Sequence, residues 1–376
     1  MKLIHLSDLH LGKKVKEFSM IEDQKYILIK IINVIDEEKP DGILIAGDVY
    51  DKSVPSEEAM QLWDDFLNHI AQRKIPLFAI SGNHDSAIRF SDHGKLVDLA
   101  GIHLAPAYKG TVTPLSLEDE YGKVNIYMLP FIKPVVVRQL FSDENIVTYT
   151  DACRVAIEHM DVNENERNVL IAHQYITGAE RCESEEVSIG GLDNVDVSVF
   201  DCFDYVALGH LHGKQHVERE TVRYCGTPLK YSFSEKDHKK SVTIVEIGEK
   251  GKVNIREKLL TPKHDLREIK GDYATLSSKA FYEGTVTEDY IHAILTDEDD
   301  VFDAMGKLRV IYPNLMDISY DNERTRENRQ LTNIEEIEQK SPLQLFETFF
   351  ETQNNQPMSD EQKAFCVELI SSIWEV

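Results

Sequence analysis

The chain has 376 residues, of which 42% are hydrophobic and 28% are charged, a composition typical of a folded protein large enough for two domains. Its 66 acidic residues outnumber the 41 basic ones and give a formal net charge of -25. This balance argues against nucleic-acid binding by bulk electrostatic attraction. A polyanionic substrate would have to be held by local basic loops, by metal ions or by a partner subunit.

The sequence favours a cytoplasmic location. Asp8 and His10 interrupt the apolar N-terminal stretch, so a secretory signal is not expected, and no apolar run approaches membrane-spanning length. The five cysteines are odd in number and form no CxxC pair, which argues against both a disulfide framework and a thiolate zinc site. A reducing compartment is the simplest interpretation.

The first part of the chain predicts strands that alternate with helices. Strands are predicted at the apolar runs KLIHLSD, DGILIAGD and IPLFAISGNHD. A helix is predicted after Ser19, which forms a capping box with Glu22, and another is predicted to begin at Ser56. This β-α-β-α-β order predicts a parallel sheet with right-handed crossovers.

From Gly101 onward short strands predominate, apart from a helix predicted over residues 151–160. The pattern predicts two packed sheets with helices outside, a four-layer α/β/β/α sandwich. The predicted domains are this sandwich over residues 1–262, a small α+β cap domain over residues 263–325 and a helical tail over residues 326–376. In the tail, Pro342 marks one helix start, and Ser359 with Gln362 forms a capping box at another.

Metal-type ligands follow five of the predicted strands. Asp48 ends a strand that is expected to be buried on both faces, which is where α/β proteins place their chemistry. The remaining ligands at strand ends are Asp8, His10, Asn83, His173, His210 and His212, with His84 beside them. Oxygen and imidazole ligands without sulfur suit Mn²⁺, with Fe²⁺ or Zn²⁺ possible.

Seven ligands exceed the need of one ion, and two ions that share Asp48 would account for them. Metal pairs roughly 3.5 to 4 Å apart activate water and clamp an in-line phosphoryl displacement. Each motif alone has a structural alternative, because a histidine at a strand end often caps a turn and GNHD is compatible with a hairpin turn. Five motifs in order, each at a strand exit, favour the metal site.

These motifs resemble those of a known family. DLH, GDVYD, GNHD, AHQ and GHLH are similar to the five blocks of the calcineurin-like metallophosphoesterases, over about residues 1–260. The stretches SGNHDSAIRF, SIGGLD and SPLQLFETFF further resemble the SbcD family of bacterial nuclease subunits. The resemblance implies that one Mn²⁺ would be held by Asp8, His10, Asp48 and His212, and the other by Asp48, Asn83, His173 and His210. It also implies that His84 protonates or stabilises the leaving oxygen.

The resemblance implies a Mn²⁺-dependent DNA nuclease, exonucleolytic on duplex ends and endonucleolytic on single strands or hairpins. Such a subunit works with an SbcC-type SMC-like ATPase, which uses the ATP, in DNA repair and recombination. The resemblance also implies a homodimer through residues 56–73 and 86–100, although core packing is the competing account of Trp63, Phe66 and Leu67. The tail would dock on the coiled coil of the ATPase, or alternatively fold back on residues 266–320.

Two other functions compete with the nuclease. The first is a protein phosphatase or small-molecule phosphoesterase, but GDVYD continues into Lys52 and Ser53 rather than into the arginine typical of those phosphatases. The second is a non-catalytic scaffold, against which the complete ligand set argues.

Asp51 is expected to orient a ligand. The basic positions that could contact DNA are Lys13, Lys14, Lys16, Lys52, Arg89 and the run 230–240.

Overall fold

The computed structural model describes residues 1–91, 98–185, 193–325, 342–354 and 357–374. The chain forms two compact units, Met1–Leu266 and Arg267–Val376. The boundary between the units lies close to Pro262, where the sequence analysis places the end of the first domain. Each unit has its own hydrophobic core.

The first sheet contains the strands predicted from the three apolar runs. Its parallel strands are β1 (Lys2–Leu6), β4 (Gly42–Ala46), β5 (Leu77–Ile80) and β6 (Ile102–Leu104). Helices α1 (Ile21–Glu38) and α2 (Glu57–Arg73) connect them, and such crossovers impose the parallel direction. The antiparallel strands β15 (Ser241–Ile247) and β16 (Val253–Leu259) extend the sheet beyond β1. The segment between β1 and α1 contains a small hairpin of β2 (Lys14–Val15) and β3 (Phe18–Ser19).

The second sheet is built from the middle of the chain. In spatial order its strands are β13 (Gln215–Val217), β14 (Arg219–Tyr224), β12 (Tyr205–Gly209), β9 (Arg167–His173), β8 (Gly122–Leu129) and β7 (Leu115–Asp119). The four central strands are parallel. The remaining elements of this unit are α3 (Ala87–Phe90), α4 (Pro134–Leu140), α5 (Tyr149–Glu158) and the short pair β10 (Tyr175–Ile176) and β11 (Asn194–Val195).

The two sheets pack face to face, and the predicted four-layer α/β/β/α sandwich is confirmed. Leu44 and Phe78 of the first sheet and Val169 and Ile171 of the second belong to one buried apolar cluster. The outer face of the second sheet packs on α4 and α5 in another cluster. The central strands β4 and β5 of the first sheet are buried on both faces, and α1 and α2 each bury an apolar stripe.

The helix starts agree with the sequence at Ser56, Pro342 and Ser359 and differ at Ser19. The Ser56 side chain accepts a hydrogen bond from the Ala59 N–H at the start of α2, as predicted. The capping box predicted at Ser19 is wrong. Ser19 pairs with Lys14 in the β2–β3 hairpin, and the N-cap of α1 is Met20, without a side-chain bond. Because Ser19 belongs to the hairpin, Met20 rather than Ser19 stands at the helix start.

The second unit contains the predicted small α+β module and the C-terminal helices. Its three-stranded sheet has the order β17 (Leu266–Gly271), β18 (Tyr290–Leu295) and β19 (Leu315–Tyr320). Its helices are α6 (Tyr273–Leu276), α7 (Lys279–Tyr282), α8 (Ala304–Arg309), α9 (Pro342–Asn354) and α10 (Asp360–Trp374). The capping box at Ser359 and Gln362 is present, with both reciprocal hydrogen bonds. Within the described residues, none of the helices is long and apolar enough to cross a membrane.

Candidate metal centre

All eight site residues predicted from the sequence lie at the carboxyl ends of parallel strands. Asp8 and His10 follow β1, Asp48 follows β4, and Asn83 and His84 follow β5. His173 is the last residue of β9 in the second sheet, and His210 and His212 follow β12. Because the two sheets face each other, the ligand loops of both sheets meet at one edge of the sandwich.

The ligand loops are tied to each other by their backbones. The Asp8 and His10 N–H groups donate to the carbonyls of Gly47 and Asp48, at 3.0 and 2.9 Å. The His210 N–H donates to the Asp8 carboxylate at 3.0 Å, which joins the second sheet to the first. Four ligand residues adopt positive φ angles, namely Asp8, His10, Asp48 and His210. Such conformations cost free energy and are typical of functional sites held by their surroundings.

Asp48 lies at the centre of the group. Its Oδ2 atom is 3.3 Å from His173 Nε2, 3.8 Å from His10 Nε2 and 4.0 Å from His84 Nε2. Its Oδ1 atom accepts a hydrogen bond from the His84 N–H at 2.9 Å. Three imidazole nitrogens and a carboxylate oxygen therefore converge on one small volume.

His173 directs a ring nitrogen at two acceptor oxygens in this volume. Its Nδ1 donates to the Ala46 carbonyl at 2.8 Å, so its Nε2 carries a lone pair when the ring is neutral. That Nε2 faces two further acceptors, Asp48 Oδ2 at 3.3 Å and Asn83 Oδ1 at 2.9 Å. His210 Nδ1 also lies 2.9 Å from Asn83 Oδ1. Acceptors that face each other at these distances repel unless a proton or a cation lies between them.

The pKa values reflect the same arrangement. Burial lowers the pKa of His173, but the Asp48 carboxylate outweighs burial and raises it to about 9. Burial would raise the pKa of Asp48, but His173 holds it below its usual range. Burial raises the pKa of Asp8 to about 6 and lowers the pKa of His210 to about 3. The His173 proton thus supplies the positive charge that a divalent cation would replace.

The donor set fits a borderline-to-hard divalent cation, since it offers carboxylate and amide oxygens and imidazole nitrogens without sulfur. Within the described residues, two groups of ligand atoms are compact enough to hold an ion, and Asp48 belongs to both. The groups are His10, Asp48 and His84, and Asp8, Asp48 and His173. This division differs from the one that the resemblance implies, which places Asp8 with His10 and His212 and leaves His84 outside the ligands.

His84 is held in a defined orientation. Its Nδ1 donates to the Asp51 backbone carbonyl at 2.9 Å, and its Nε2 therefore points toward Asp48. The His84 side chain is 18% exposed, against 3% for Asp48, so a substrate can reach this ring. Asp51 thus orients His84 through its carbonyl, while its carboxylate binds Lys13 Nζ at 2.8 Å.

Several buried polar residues that support the site were not identified from the sequence. Asp85 accepts from the N–H groups of Val49, Tyr50 and Gly82, and so links the Asp48 loop to the Asn83 loop. Its position in the GNHD motif was a signal that could have identified it.

Gln24 on α1 donates to the His10 carbonyl at 2.7 Å and accepts from the Gly12 N–H at 2.9 Å. Nothing in a helical pattern distinguishes such a glutamine from a solvated one. Tyr231 donates to the Leu9 carbonyl at 2.6 Å, and its ring lies edge-on against His10. Both residues fix the loop that carries His10.

The basic run 230–240, a candidate DNA contact in the sequence, contains both buried and exposed lysines. Lys240 is 8% exposed and binds the buried Glu235 at 2.5 Å. The Lys230 side chain is 10% exposed and binds Asp265. By contrast, Lys14, Lys52 and Arg89 are exposed. Lys230 and Lys240, at the two ends of the run, therefore support the protein interior, whereas Lys239 within it is exposed.

The chain belongs to the calcineurin-like phosphoesterase family, whose model matches residues 1–214. A second model, described as "Type 5 capsule protein repressor C-terminal domain", matches residues 262–354. The SbcD subunit of the SbcCD nuclease from Staphylococcus epidermidis is 32% identical to this chain over 99% of either sequence. The resemblance to the SbcD family found in the sequence motifs is thereby confirmed.

The chain is also similar to solved structures at low identity. A Thermus thermophilus protein, TT1561, matches 68% of this chain and 98% of its own at 10% identity, with a TM-score of 0.38. A dimetal phosphatase from Danio rerio matches 68% of this chain and 95% of its own at 9% identity, with a TM-score of 0.41.

Proposed function

We propose that the chain is the nuclease subunit of a DNA repair complex and hydrolyses DNA phosphodiesters with two Mn²⁺ ions. The observation that carries this proposal is the convergence of carboxylate, amide and imidazole ligands around Asp48. The name of the 32% identical relative supports a nuclease rather than another phosphoesterase. The proposed substrates are duplex ends, single strands and hairpins, and the proposed location is the cytoplasm.

The proposed metal ligands are those named from the sequence: Asp8, His10, Asp48, Asn83, His173, His210 and His212. When bound, the ions supply Lewis acidity that activates water and neutralises charge on the phosphate. The chain contributes orientation, because the loops around Asp48 are joined by backbone hydrogen bonds before any substrate binds. His84 is the proposed acid, since its Nδ1 is occupied by the Asp51 carbonyl and its Nε2 faces the site. A proton on Nε2 would pass to the leaving oxygen.

The test is cleavage of an end-labelled DNA hairpin in Mn²⁺ by wild type and by His84→Ala. We expect the variant to bind two Mn²⁺ and to cleave about 10²- to 10⁴-fold more slowly. His103→Ala is a matched control, because His103 lies on β6 and pairs with Asp98 rather than with the site. Wild-type rates in His84→Ala would refute the acid role. If the Mn²⁺-loaded protein, alone or with the ATPase, hydrolyses small phosphate esters but not DNA, the chain is a phosphatase. If it hydrolyses neither substrate, the chain is a non-catalytic scaffold.

Lys14 is a proposed contact to the DNA backbone, because it is exposed and follows the loop that carries His10. Lys13 is a weaker candidate, since it binds Asp51 at 2.8 Å. We expect Lys14→Ala to lower the slope of log affinity against log salt by about one. Lys252→Ala is the control, because its side chain is 73% exposed and pairs with Glu249. An unchanged slope would show that Lys14 does not contact the DNA backbone.

A homodimer through residues 56–73 and 86–100 is part of the proposal. Trp63 and Phe66 are 4% and 1% exposed, so core packing accounts for both of them. The support for an interface comes instead from the exposed apolar side chains Val54, Met60 and Ile88. Sedimentation of Ile88→Glu should give a monomer where wild type gives a dimer. A monomeric wild type at micromolar concentration would remove the dimer.

The proposed domain roles are a nuclease domain over residues 1–262, a cap domain over residues 263–325 and a partner-binding tail over residues 326–376. In the tail, Phe346, Phe349 and Phe365 are exposed, which suits an apolar contact with the coiled coil of an SbcC-type SMC-like ATPase. Deleting residues 341–376 should abolish binding to the ATPase while hairpin cleavage by the isolated subunit persists. Retained binding would refute the docking role.

A further inference from the structure

His212 is held by hydrogen bonds to its backbone and to its ring. Its N–H donates to the buried Glu185 carboxylate at 2.6 Å, and its carbonyl accepts from Lys240 Nζ at 2.9 Å. Its ring nitrogen Nδ1 lies 2.7 Å from Ser184 Oγ and 3.4 Å from Glu235 Oε1. Backbone and ring are therefore fixed by side chains from two separate segments.

Glu235 is a completely buried carboxylate with a buried counter-ion. Lys240 Nζ donates to Glu235 Oε2 at 2.5 Å, to Thr227 Oγ1 at 2.7 Å and to the His212 carbonyl at 2.9 Å. These bonds use all three donors of the ammonium group. Glu235 Oε1 accepts from Ser184 Oγ at 2.7 Å and from the Tyr231 N–H at 3.1 Å. A carboxylate with these partners acts as an acceptor and carries no proton.

Counting protons along this chain of contacts fixes the tautomer of His212. Ser184 has one hydroxyl hydrogen, and because Glu235 can only accept, that hydrogen goes to Glu235. Ser184 Oγ must then accept from His212 Nδ1, so Nδ1 carries the ring hydrogen. In the neutral ring the lone pair is then on Nε2, which faces His10 Nε2 at 3.2 Å inside the candidate metal centre.

We propose that Lys240, Glu235 and Ser184 form a positioning relay that holds His212 as a neutral ligand with its Nε2 lone pair directed at one metal ion. The relay rests on the proposed two-metal centre and adds residues that act on it from outside. Their hydrogen bonds run to His212, Thr227 and Tyr231 and to one another. Partners that orient a metal-bound histidine in this way typically change metal affinity by about 10- to 100-fold when removed.

The test is a calorimetric titration of Mn²⁺ into the full chain, with ion stoichiometry checked by electron paramagnetic resonance. Ser184→Ala removes the hydroxyl, and Ser184→Thr restores it. Glu235→Gln combined with Lys240→Met removes both charges, so neither is left buried without its partner. Glu183→Gln changes a charge on the exposed neighbour of Ser184 and is the matched control.

We expect the double variant to bind one of the two ions at least tenfold more weakly and the other within threefold of wild type. Ser184→Ala should lose less, because Glu235 lies 3.4 Å from Nδ1 and can partly replace the hydroxyl. Ser184→Thr and Glu183→Gln should match wild type. The ¹⁵N spectrum of metal-free, histidine-labelled protein reports the tautomer of each histidine. The His212 signal is identified as the one that is absent from the spectrum of His212→Asn. This signal should show the Nδ1–H tautomer in wild type and not in the double variant.

Three outcomes would overturn the relay. A folded double variant that binds both ions like wild type would do so, as would equal weakening of both ions in Ser184→Ala. If the double variant does not fold, wild-type affinity for both ions in Ser184→Ala would also refute the relay. A wild-type chain that binds no Mn²⁺ would instead refute the proposed function, and the relay would fall with it.

Discussion

His5 makes the stability of the first unit depend on pH in a predictable direction. His5 lies on β1 in the layer between the two sheets, is 0% exposed, and contacts the Tyr205 hydroxyl at 2.8 Å through Nδ1. Its Nε2 has no hydrogen-bond partner among the described residues. Burial, with a smaller contribution from the charge of Arg223, lowers the pKa of His5 from 6.5 to about 3, although the Leu208 backbone opposes the shift.

The sign of the effect follows from linkage. The folded protein keeps His5 neutral down to about pH 3, whereas the unfolded chain binds a proton below pH 6.5. Stability contributed by the neutral ring is therefore present above pH 6.5 and is lost as pH falls from 6.5 toward 3. Each pH unit within that window removes about 1.4 kcal/mol, so acidification from pH 7 to pH 5 should cost about 2 kcal/mol through His5 alone.

The assay compares wild type with His5→Gln, which keeps an acceptor for Tyr205 but does not titrate. Urea unfolding in the presence of EDTA at pH 7, 6 and 5 would be followed by the fluorescence of Trp63, which is 4% exposed in the first unit. Both proteins would carry Trp374→Phe, because the chain has two tryptophans and one reporter keeps the signal in one unit.

The free energy of unfolding of His5→Gln should rise relative to wild type by about 2 kcal/mol between pH 7 and pH 5. Thr243→Val is the matched control, because Thr243 is the strand neighbour of His5 and cannot titrate. Its difference from wild type should be the same at every pH. A His5→Gln difference that stays constant within about 0.5 kcal/mol would refute the reasoning.

Three further predictions follow from the site geometry. Gly209→Ala would place a Cβ atom 1.8 Å from the Ala46 carbonyl oxygen, so we expect a loss of more than about 3 kcal/mol in urea unfolding. Gly248→Ala, whose nearest neighbour would lie at 3.6 Å, should cost far less, and equal losses would contradict the clash. Mn²⁺ affinity should rise about tenfold per unit from pH 7 to pH 8.5, because His173, with a pKa of about 9, must release its proton. Calorimetry in buffers of different ionisation enthalpy would measure the number of protons released on Mn²⁺ binding. A pH-independent affinity would show that His173 releases none. Mn²⁺ at 100 times its Kd should stabilise the protein by about 2.7 kcal/mol, and EDTA should reverse the shift in Tm.

The elements and the residues at strand ends could be predicted from the sequence, because both depend on local patterns. Apolar runs such as ILIA, followed by Gly47 and Asp48, indicate a buried strand and its carboxyl end without knowledge of its neighbours. Helices between such strands impose parallel pairing, and parallel pairing brings the residues at the strand ends to one edge. The gathering of Asp8 and Asp48 therefore has a cause that is already present in the chain, whereas His173 joins them because the second sheet packs on the first.

The tertiary structure alone decided which sheet each later strand joins. The strand SVTIVEI pairs with β1 in the first sheet and VNIREKL pairs with SVTIVEI, although both follow the second sheet in the chain. Their own alternation is compatible with the edge of either sheet. The choice depends on which faces remain to be covered after both sheets have formed, and that is a property of long-range packing.

The same distinction separates the ligands from the residues that hold them. Lys240 and Glu235 stand in a charged segment that is indistinguishable in sequence from a solvated loop, yet both are buried behind His212. Gln24 lies within a helix and still binds the loop that carries His10. Local sequence determines which side chains can bind a metal, since ligand chemistry belongs to the residue. Whether a polar side chain is buried and paired depends on the segments folded against it, and only the tertiary structure brings those segments together.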